Sequence, residues 1–357
     1  MKKTRTSDIV ISVCLYLVLL GFILFLDRTL PATDIALTVL KKGCIYSLVA
    51  VSMNLLNGFT GLFSLGQAGF MMIGGYTYAI LTIPVEARDS VYQYFNGGIV
   101  RFSVPFWVGL IAAGIVAAIF AWLIGLPVLR LKSDYLAIAT LGFAEIMRAF
   151  FQWDSLGVLT NGSNMLRKYP AFRSTVFPFV TASLCIGIIV LIINSSYGRA
   201  FRAIRDDEIA AEAMGINLAK HKRMSFCISS FFAGVGGALL AMYQTSIQAA
   251  PFKSAMTYEI LLIVVIGGLG SVTGSCIGSF LFIACSEWWL RFLDAETTIG
   301  TFRVPLLRSG FRKVVFSVII MLIVLFAQKG IMGNKEFSVS GIRDWLTKKK
   351  QKKEAGA

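Results

Sequence analysis

The side chains that most often carry catalysis are scarce in this chain of 357 residues. It has a single histidine, His221, and its six cysteines are scattered without a C-x-x-C pair. This scarcity argues against a metal centre, a redox pair or a disulfide framework. The patterns G-x-x-x-x-G-K-[S/T], H-E-x-x-H and G-x-S-x-G are also missing, so neither a phosphate-binding loop nor a familiar hydrolytic site is predicted. We expect a chain that is not itself an enzyme and binds no cofactor of its own.

Charge is scarce as well, because only 15% of the residues are charged while 56% are hydrophobic. The mean hydropathy is +0.74, and apolar runs of roughly 20 residues, the length that crosses a bilayer as a helix, recur along the chain. The sequence predicts an all-α, polytopic transmembrane helix bundle with broken or re-entrant glycine-rich segments, in which residues 1–328 form the membrane domain. About ten spans are expected, near residues 8–26, 35–56, 65–83, 104–127, 134–152, 175–194, 224–246, 257–268, 271–290 and 313–328.

The formal net charge of +15 comes from basic residues at the ends of spans and in a basic tail, 329–357. This pattern is typical of the positive-inside rule, with attraction to anionic membrane lipid as a secondary effect. We therefore expect both termini and the charged stretch 197–223 on the cytoplasmic side of a membrane, and no binding of nucleic acid.

The eighth predicted span has only about a dozen residues and ends in a glycine-rich stretch that begins at Gly267 and Gly268. A helix this short does not cross about 30 Å of hydrocarbon. Broken helices survive at membrane depth only inside protein or beside a cavity. Two interpretations follow: Gly267 and Gly268 belong to a translocation path, or they form a tightly packed corner. Gly270, Gly274 and Gly278 form a ridge suited to helix packing, within the chain or against another subunit.

A second interrupted segment runs over 54–76, NLLNGFTGLFSLGQAGFMMIGGY. Polar side chains and irregular backbone at this depth need internal partners, but they can also hydrogen-bond a passing solute. The alternatives are a tight turn between packed spans and part of a translocation path. The candidate path residues are Asn54, Gly61, Ser64, Gly66 and Gln67.

The fifth span contains the ionisable residues Glu145 and Arg148. Glu145 follows Asp134 by eleven positions, which places it about 16 Å along a helix and near the middle of the membrane. Arg148 lies on the same helix face, where it can pair with Glu145. A charged pair at this depth is either part of a transport site or a structural ion pair between helices.

Residues 197–223 form a charged island between two apolar spans. Charge this dense must lie in water rather than in hydrocarbon. The stretch is rich in Ala, Glu and Arg, which predicts a short amphipathic helix from Arg199 to Met214, with Gly215 as its C-cap. The segment is either a docking surface or a solvated connector.

Four stretches together resemble the membrane-spanning permeases of ATP-binding-cassette (ABC) importers for branched-chain amino acids, specifically the LivM-type subunit. They are NLLNGFTGLFSLGQAGFMMIGGY, LPVLRLKSDYLAIATLGFAEIMR, GRAFRAIRDDEIAAEAMGINLAKHKRMSF and VVIGGLGSVTGSCIG. The resemblance implies that the charged island contains a coupling helix, related to the EAA loop of these importers, which docks on an ATPase subunit. Its residues would be Arg199, Arg202, Arg205, Asp207, Glu208, Glu212, Ala213 and Gly215, with Met214 where the second Ala of a strict EAA pattern would stand.

The resemblance also implies a complex in a bacterial inner membrane. The partners would be a second, LivH-like permease, two cytoplasmic ATPase subunits that bind ATP, and an extracytoplasmic solute-binding protein. Leucine, isoleucine and valine would be the solutes, although related permeases carry urea, amides or other amino acids. A stand-alone secondary transporter with Glu145 as its ion site is a further alternative.

Overall fold

The computed structural model describes residues 6–31, 34–131, 133–172, 174–290, 298–299, 302–303, 314–315, 317–318, 321, 330–333 and 336. Thirteen α-helices lie in the described part of the chain. They are α1 (Thr6–Thr29), α2 (Ile35–Asn54), α3 (Gln67–Thr82), α4 (Val85–Val91), α5 (Phe106–Val128), α6 (Ser133–Gln152), α7 (Gly157–Thr160), α8 (Val176–Asn194), α9 (Ser196–Asp206), α10 (Glu208–Ala213), α11 (Leu218–Gln244), α12 (Ser254–Gly267) and α13 (Val272–Ala284).

Short segments complete the secondary structure of the described residues. Wider π-helical turns extend α2 over Leu55–Phe59 and α13 over Cys285–Trp289, and a short 3₁₀ turn, Asp154–Leu156, precedes α7. Strands β1 (Leu166–Arg167) and β2 (Ser246–Ile247) pair antiparallel, as do β3 (Thr298–Ile299) and β4 (Phe302–Arg303). Two-residue strands do not make a sheet domain, so the all-α prediction is confirmed.

Nine of the ten predicted spans coincide with helices: α1, α2, α3, α5, α6, α8, α11, α12 and α13. In the described part of the chain, four helical segments are long and apolar enough to cross a membrane alone: Ile35–Phe59, Phe106–Val128, Val176–Asn194 and Leu218–Gln244. The tenth predicted span, 313–328, lies mostly outside the described residues. The total of ten spans therefore stays a prediction.

Helix α11 lies at the centre of the bundle and packs against α3 and α5. Glycines allow the α3–α11 contact, because a Cβ at Gly74 would overlap Gly234 and a Cβ at Gly237 would overlap the Met71 carbonyl. Close approach of backbones holds helices together in lipid, where no hydrophobic force acts between them. Helices α5 and α8 are the least buried of the four long spans and present apolar side chains outward, as lipid-facing or subunit-facing helices do.

The two predicted breaks are both present. Residues 60–66 have no regular structure and separate α2 from α3, and residues 268–271 form the turn between α12 and α13. Helix α12 has 14 residues, about 21 Å at 1.5 Å per residue, which is shorter than about 30 Å of hydrocarbon. The glycine ridge packs within this chain, because Gly274 and Gly278 of α13 both contact Gly267 of α12.

Candidate functional site

The charged island folds as two helices, so the prediction of one helix over Arg199–Met214 is wrong. Helix α9 ends at Asp206 because Asp207 has an extended backbone, with φ −159° and ψ 112°. The Asp207 carboxylate accepts hydrogen bonds from the amides of Ile209 (2.9 Å) and Ala210 (3.1 Å), which starts α10. An N-cap residue has a non-helical backbone and bonds the first free amides of a helix. Asp207 therefore ends α9 and begins α10 at the same point. The C-cap of α10 is Met214, one residue before the predicted Gly215, and Gly215 follows it in the left-handed conformation, with φ +86°.

The basic residues of α9 bind the bundle from which the island projects. Arg202 Nη2 donates to the Ile193 carbonyl at the end of α8 (2.6 Å). Arg205 Nη1 donates to the Gly58 carbonyl at the end of α2 (3.1 Å), and its side chain also pairs with Asp206 (2.8 Å). The exposed Arg199 donates to Ser196 on its own helix (2.8 Å). Arg202 and Arg205 therefore fix α9 to two membrane helices.

Two exposed apolar side chains lie on α10 and directly after it, of which the sequence pattern drew attention only to Met214, as a departure from EAA. Ile209 and Met214 are each 83% exposed, although large apolar side chains outside the membrane usually find cover. The predicted residues Glu212, Ala213 and Gly215 are also exposed. We call Ile209, Glu212, Ala213, Met214 and Gly215 the docking surface, after the role that the resemblance described above implies for this segment. Exposed large apolar side chains among polar ones are a common feature of protein interaction sites.

The position of α10 is also fixed by contacts with α11 and with the interior of the protein. The Glu208 carboxylate pairs with Lys222 Nζ (2.6 Å), and Ala211 on the inner side of α10 is buried. An ion pair with one exposed partner contributes at most about 1 kcal/mol, so the packing of Ala211 and the Asp207 cap define the helix position more than Glu208 does.

A continuous set of contacts runs from α9 into the first broken segment. Besides its bond to the Gly58 carbonyl, Arg205 packs on Gly61, which has φ +76°. A side chain at Gly61 would strain this backbone and meet the Arg205 side chain, so glycine is required there. A Cβ at Gly58 would overlap the Asn54 side chain. Arg205 therefore connects α9 directly to the end of α2.

Asn54 joins the end of α2 to the α12–α13 turn. It is fully buried, and its Nδ2 donates to the Ser271 carbonyl (2.9 Å) and to Ser275 Oγ (2.8 Å). Its Oδ1 accepts from the Gly270 amide (2.9 Å). Gly268, with φ +115°, and Gly267 lie at the same turn. The structure thus brings Asn54, Gly267 and Gly268 together, with every Asn54 polar atom bonded.

The remaining polar candidates of the first broken segment support its backbone. The Ser64 amide donates to Asn57 Oδ1 (3.2 Å), and Ser64 Oγ accepts from the Gly66 amide (3.4 Å). Gln67 Nε2 donates to Ser52 Oγ (2.7 Å) on α2. Ser64 and Gln67 are both buried. These contacts match the interpretation as a packed turn, and a role in a path stays a prediction for each residue.

Glu145 and Arg148 lie in a separate cluster at the other end of α12. The predicted pair is present, with Arg148 Nη2 and Glu145 Oε2 2.7 Å apart. Glu145 Oε1 also accepts from the Ser254 amide (3.1 Å) and hydroxyl (2.7 Å), so this carboxylate caps the first turn of α12. Favourable charge at a helix N-terminus adds to that bond. Glu145 at one end and Asn54 at the other therefore hold the short helix α12 in place.

Residues near the C-terminus add a contact that the sequence analysis did not anticipate. Glu336 accepts hydrogen bonds from the amides of Val272 (2.7 Å) and Thr273 (3.2 Å) at the start of α13. The Ile331 amide donates to the Ile266 carbonyl (2.8 Å) at the end of α12. Residues 330–333 and Glu336 therefore lie on the same turn that Asn54 binds. Composition marked the tail only as basic, and nothing distinguished Glu336 from the two other acidic residues in it, Asp344 and Glu354.

These features define a class of protein: a helical membrane protein with short, broken helices inside the bundle and exposed apolar side chains on a charged segment that projects from it. The chain belongs to the family described as "Branched-chain amino acid transport system / permease component", whose family model matches residues 35–328.

Individual relatives agree with this family. The chain is 32% identical over 277 residues to the high-affinity branched-chain amino acid transport system permease protein LivM of Salmonella typhimurium, covering 68% of this chain and 61% of the relative. It is 22% identical over 325 residues to the probable LivM protein of Methanocaldococcus jannaschii, covering 82% and 91%. It is 23% identical over 313 residues to the LivH permease of Salmonella typhimurium, covering 82% and 93%.

The match to the bacterial LivM proteins is partial, because the chain covers 61% of the length of the relatives from Salmonella typhimurium and Escherichia coli. No solved structure matches the chain at a significant level.

Proposed function

We propose that this chain is a permease subunit of an ABC importer and forms the translocation path for leucine, isoleucine and valine. The observation that carries the proposal is the contact set from the docking surface through Arg205 and Gly58 to Asn54 and the α12–α13 turn. An ATPase that moved the docking surface would thereby move the broken helices. The family assignment supports the same function and supplies the solute class.

The proposed partners are those that the family assignment implies. Two ATPase subunits on the cytoplasmic side would bind ATP and hold the docking surface, and a LivH-like permease would complete the path. An extracytoplasmic binding protein would deliver the solute. We place the chain in the bacterial inner membrane with both termini and α9–α10 in the cytoplasm, in keeping with the positive-inside rule, and we take 1–328 as the permease domain and 329–357 as the basic tail.

The mechanism is alternating access, in which helix movements expose a site to one side of the membrane at a time. Closure of the ATPase pair would displace α10, and α9 would follow because the two helices meet at Asp207. Arg205 would carry that displacement to Gly58 at the end of α2, and Asn54 would carry it to the turn after α12. In this way, ATP hydrolysis by the partner subunits would reorient the translocation path of this chain.

Two alternative functions differ from the proposed one in the solute carried or in the partner subunits that transport requires. A related importer for urea, amides or other amino acids needs the same ATPase partners and differs only in the solute. A stand-alone secondary transporter would use Glu145 as its ion site, and it needs no partner. In the structure both Glu145 oxygens are bonded, to Ser254 and to Arg148, which favours a structural role for that carboxylate.

Affinity purification of the full chain from native membranes tests the proposal. We expect two ATPase subunits and a second permease to be recovered with it, because the docking surface would bind an ATPase subunit and the second permease would pack beside this chain in the membrane. Purification of the chain alone, together with ion-driven transport by that chain in liposomes and its loss on Glu145→Gln, would support the secondary transporter instead.

A further inference from the structure

Glu259 is an exposed carboxylate at membrane depth, and the proposed function has not used it. It lies on α12, five residues after Ser254, which bonds to Glu145 midway along α6. Five residues correspond to about 7.5 Å of helix, and α12 ends at Gly267 beside Asn54. Glu259 is therefore located between the middle of the bundle and its α9 side. A carboxylate at such a depth does not face hydrocarbon, and it faces either protein or water.

A cavity lies next to Glu259. Its volume is about 230 Å³, below the roughly 300–1,000 Å³ of pockets that hold drug-sized ligands, so it suits a small solute. Residues of α2, α11, α12 and the segment before α12 line it, among them Tyr46, Leu240, Gln244, Phe252, Met256 and Glu259. Gln244 ends α11, so the cavity extends from that end of α11 down to Glu259.

The lining matches the chemistry of a zwitterion with an apolar side chain. A carboxylate attracts an ammonium group, and charge-assisted hydrogen bonds are about twice as strong as neutral ones. The Gln244 amide can donate to a carboxylate, whereas Leu240, Phe252 and Met256 offer apolar contact to an aliphatic side chain. A few polar groups in a mostly apolar cavity are what orients a small ligand.

We propose that this cavity is a water-filled substrate site in which Glu259 binds the α-ammonium group of the transported amino acid. The proposal rests on the proposed function, because it assigns the substrate-binding chemistry of the same permease. Glu145 and Asn54 hold the two ends of α12, so they position Glu259 and have no direct contact with the amino acid in this account. Reorientation of α12 during transport would then move the binding group itself.

A thiol-accessibility experiment on the full complex in native membrane vesicles tests the site without relying on transport. Ala255 is exposed, lines the cavity and lies one helical turn before Glu259, so Ala255→Cys reports the local environment. We expect it to react with water-soluble methanethiosulfonate reagents above the background of the parent chain. The control Ile115→Cys, on the outward face of α5, should not react, because this face is expected to lie against lipid or the second permease, away from water.

The charge of Glu259 is tested by comparing a cationic reagent, methanethiosulfonate ethylammonium, with an anionic one, methanethiosulfonate ethylsulfonate. The cation-to-anion rate ratio at Ala255→Cys should fall about tenfold when Glu259→Gln is added, since a unit charge about 6 Å away in water favours one reagent and disfavours the other. An unreactive thiol, or a ratio that Glu259→Gln leaves unchanged, would overturn the proposal.

The ligand chemistry is tested by protection. Millimolar leucine should slow modification of Ala255→Cys, whereas 2-hydroxy-4-methylpentanoate, which lacks the ammonium group, should not. Glu259→Gln should weaken protection by leucine about tenfold or more, the usual effect of losing a hydrogen bond to a charged group. Equal protection by both compounds, or protection by neither, contradicts the site. The ATPase partners are scored separately by copurification, so failure of the importer assignment is distinguishable from failure of this site.

Discussion

Replacing Ile209 with aspartate is expected to separate this chain from its ATPase subunits while leaving it inserted in the membrane. Ile209 is 83% exposed on α10, so the substitution disturbs no internal packing. A central apolar anchor typically contributes about 2 kcal/mol or more to an interface, which corresponds to a loss of about 30-fold in affinity. Quantitative copurification of the ATPase subunits with the tagged chain measures this effect.

The matched control for Ile209→Asp is Ile99→Asp. Ile99 is also a highly exposed isoleucine, at 69%, but it lies in the segment between α4 and α5, on the other side of the bundle from α10. Copurification should be unchanged in this variant. Equal recovery of ATPase subunits with Ile209→Asp and with the parent chain would show that α10 is not the docking element.

Replacing Asn54 with leucine should lower the free energy of unfolding by about 2–4 kcal/mol, the cost of leaving one or two buried polar groups unpaired. The leucine side chain has a similar size but supplies no acceptor for the Gly270 amide and no donor for Ser271 and Ser275. ATP-driven transport should fall further than stability does, because the joint between α2 and the α12–α13 turn is lost. Thermal denaturation in detergent, together with uptake per ATP hydrolysed, measures both effects.

Asn164→Leu provides the comparison for this second substitution. Asn164 is exposed in the segment between α7 and β1, so its replacement should change stability by no more than about 0.5 kcal/mol. If Asn54→Leu were as stable as Asn164→Leu, the hydrogen-bonded joint would not contribute to the fold. If the Asn54→Leu variant were less stable but kept the parent uptake per ATP hydrolysed, Asn54 would support the fold without transmitting movement.

Much of the fold was accessible from sequence because the strongest signals are long and local. Apolar runs located nine helices, and the short eighth span and the glycine-rich segment after Asn54 correctly indicated breaks. The spacing of Glu145 and Arg148 predicted their ion pair, which is present. These features depend on helix periodicity and on residue composition over a few turns, and no distant part of the chain alters them.

Other features depended on the behaviour of single side chains or on contacts between distant residues. The helix-forming residues of the charged island predicted one helix. The Asp207 carboxylate instead accepts hydrogen bonds from the amides of Ile209 and Ala210, so the segment forms two helices. An aspartate followed by Glu208 in a first turn is a recognisable N-cap signal. Glu259 was overlooked within an apolar run, although one carboxylate in such a run is itself a signal of function. The exposure of Ile209 and the cap by Glu336 follow only from the packed structure.

ATP-dependent uptake of radiolabelled leucine by proteoliposomes that contain this chain, its permease partner, the ATPase subunits and the binding protein tests the central claim most directly. The account predicts uptake that requires ATP and the binding protein, and that is lost when Ile209→Asp is introduced. Uptake of leucine by the purified chain alone, driven by an ion gradient and indifferent to ATP, would contradict it.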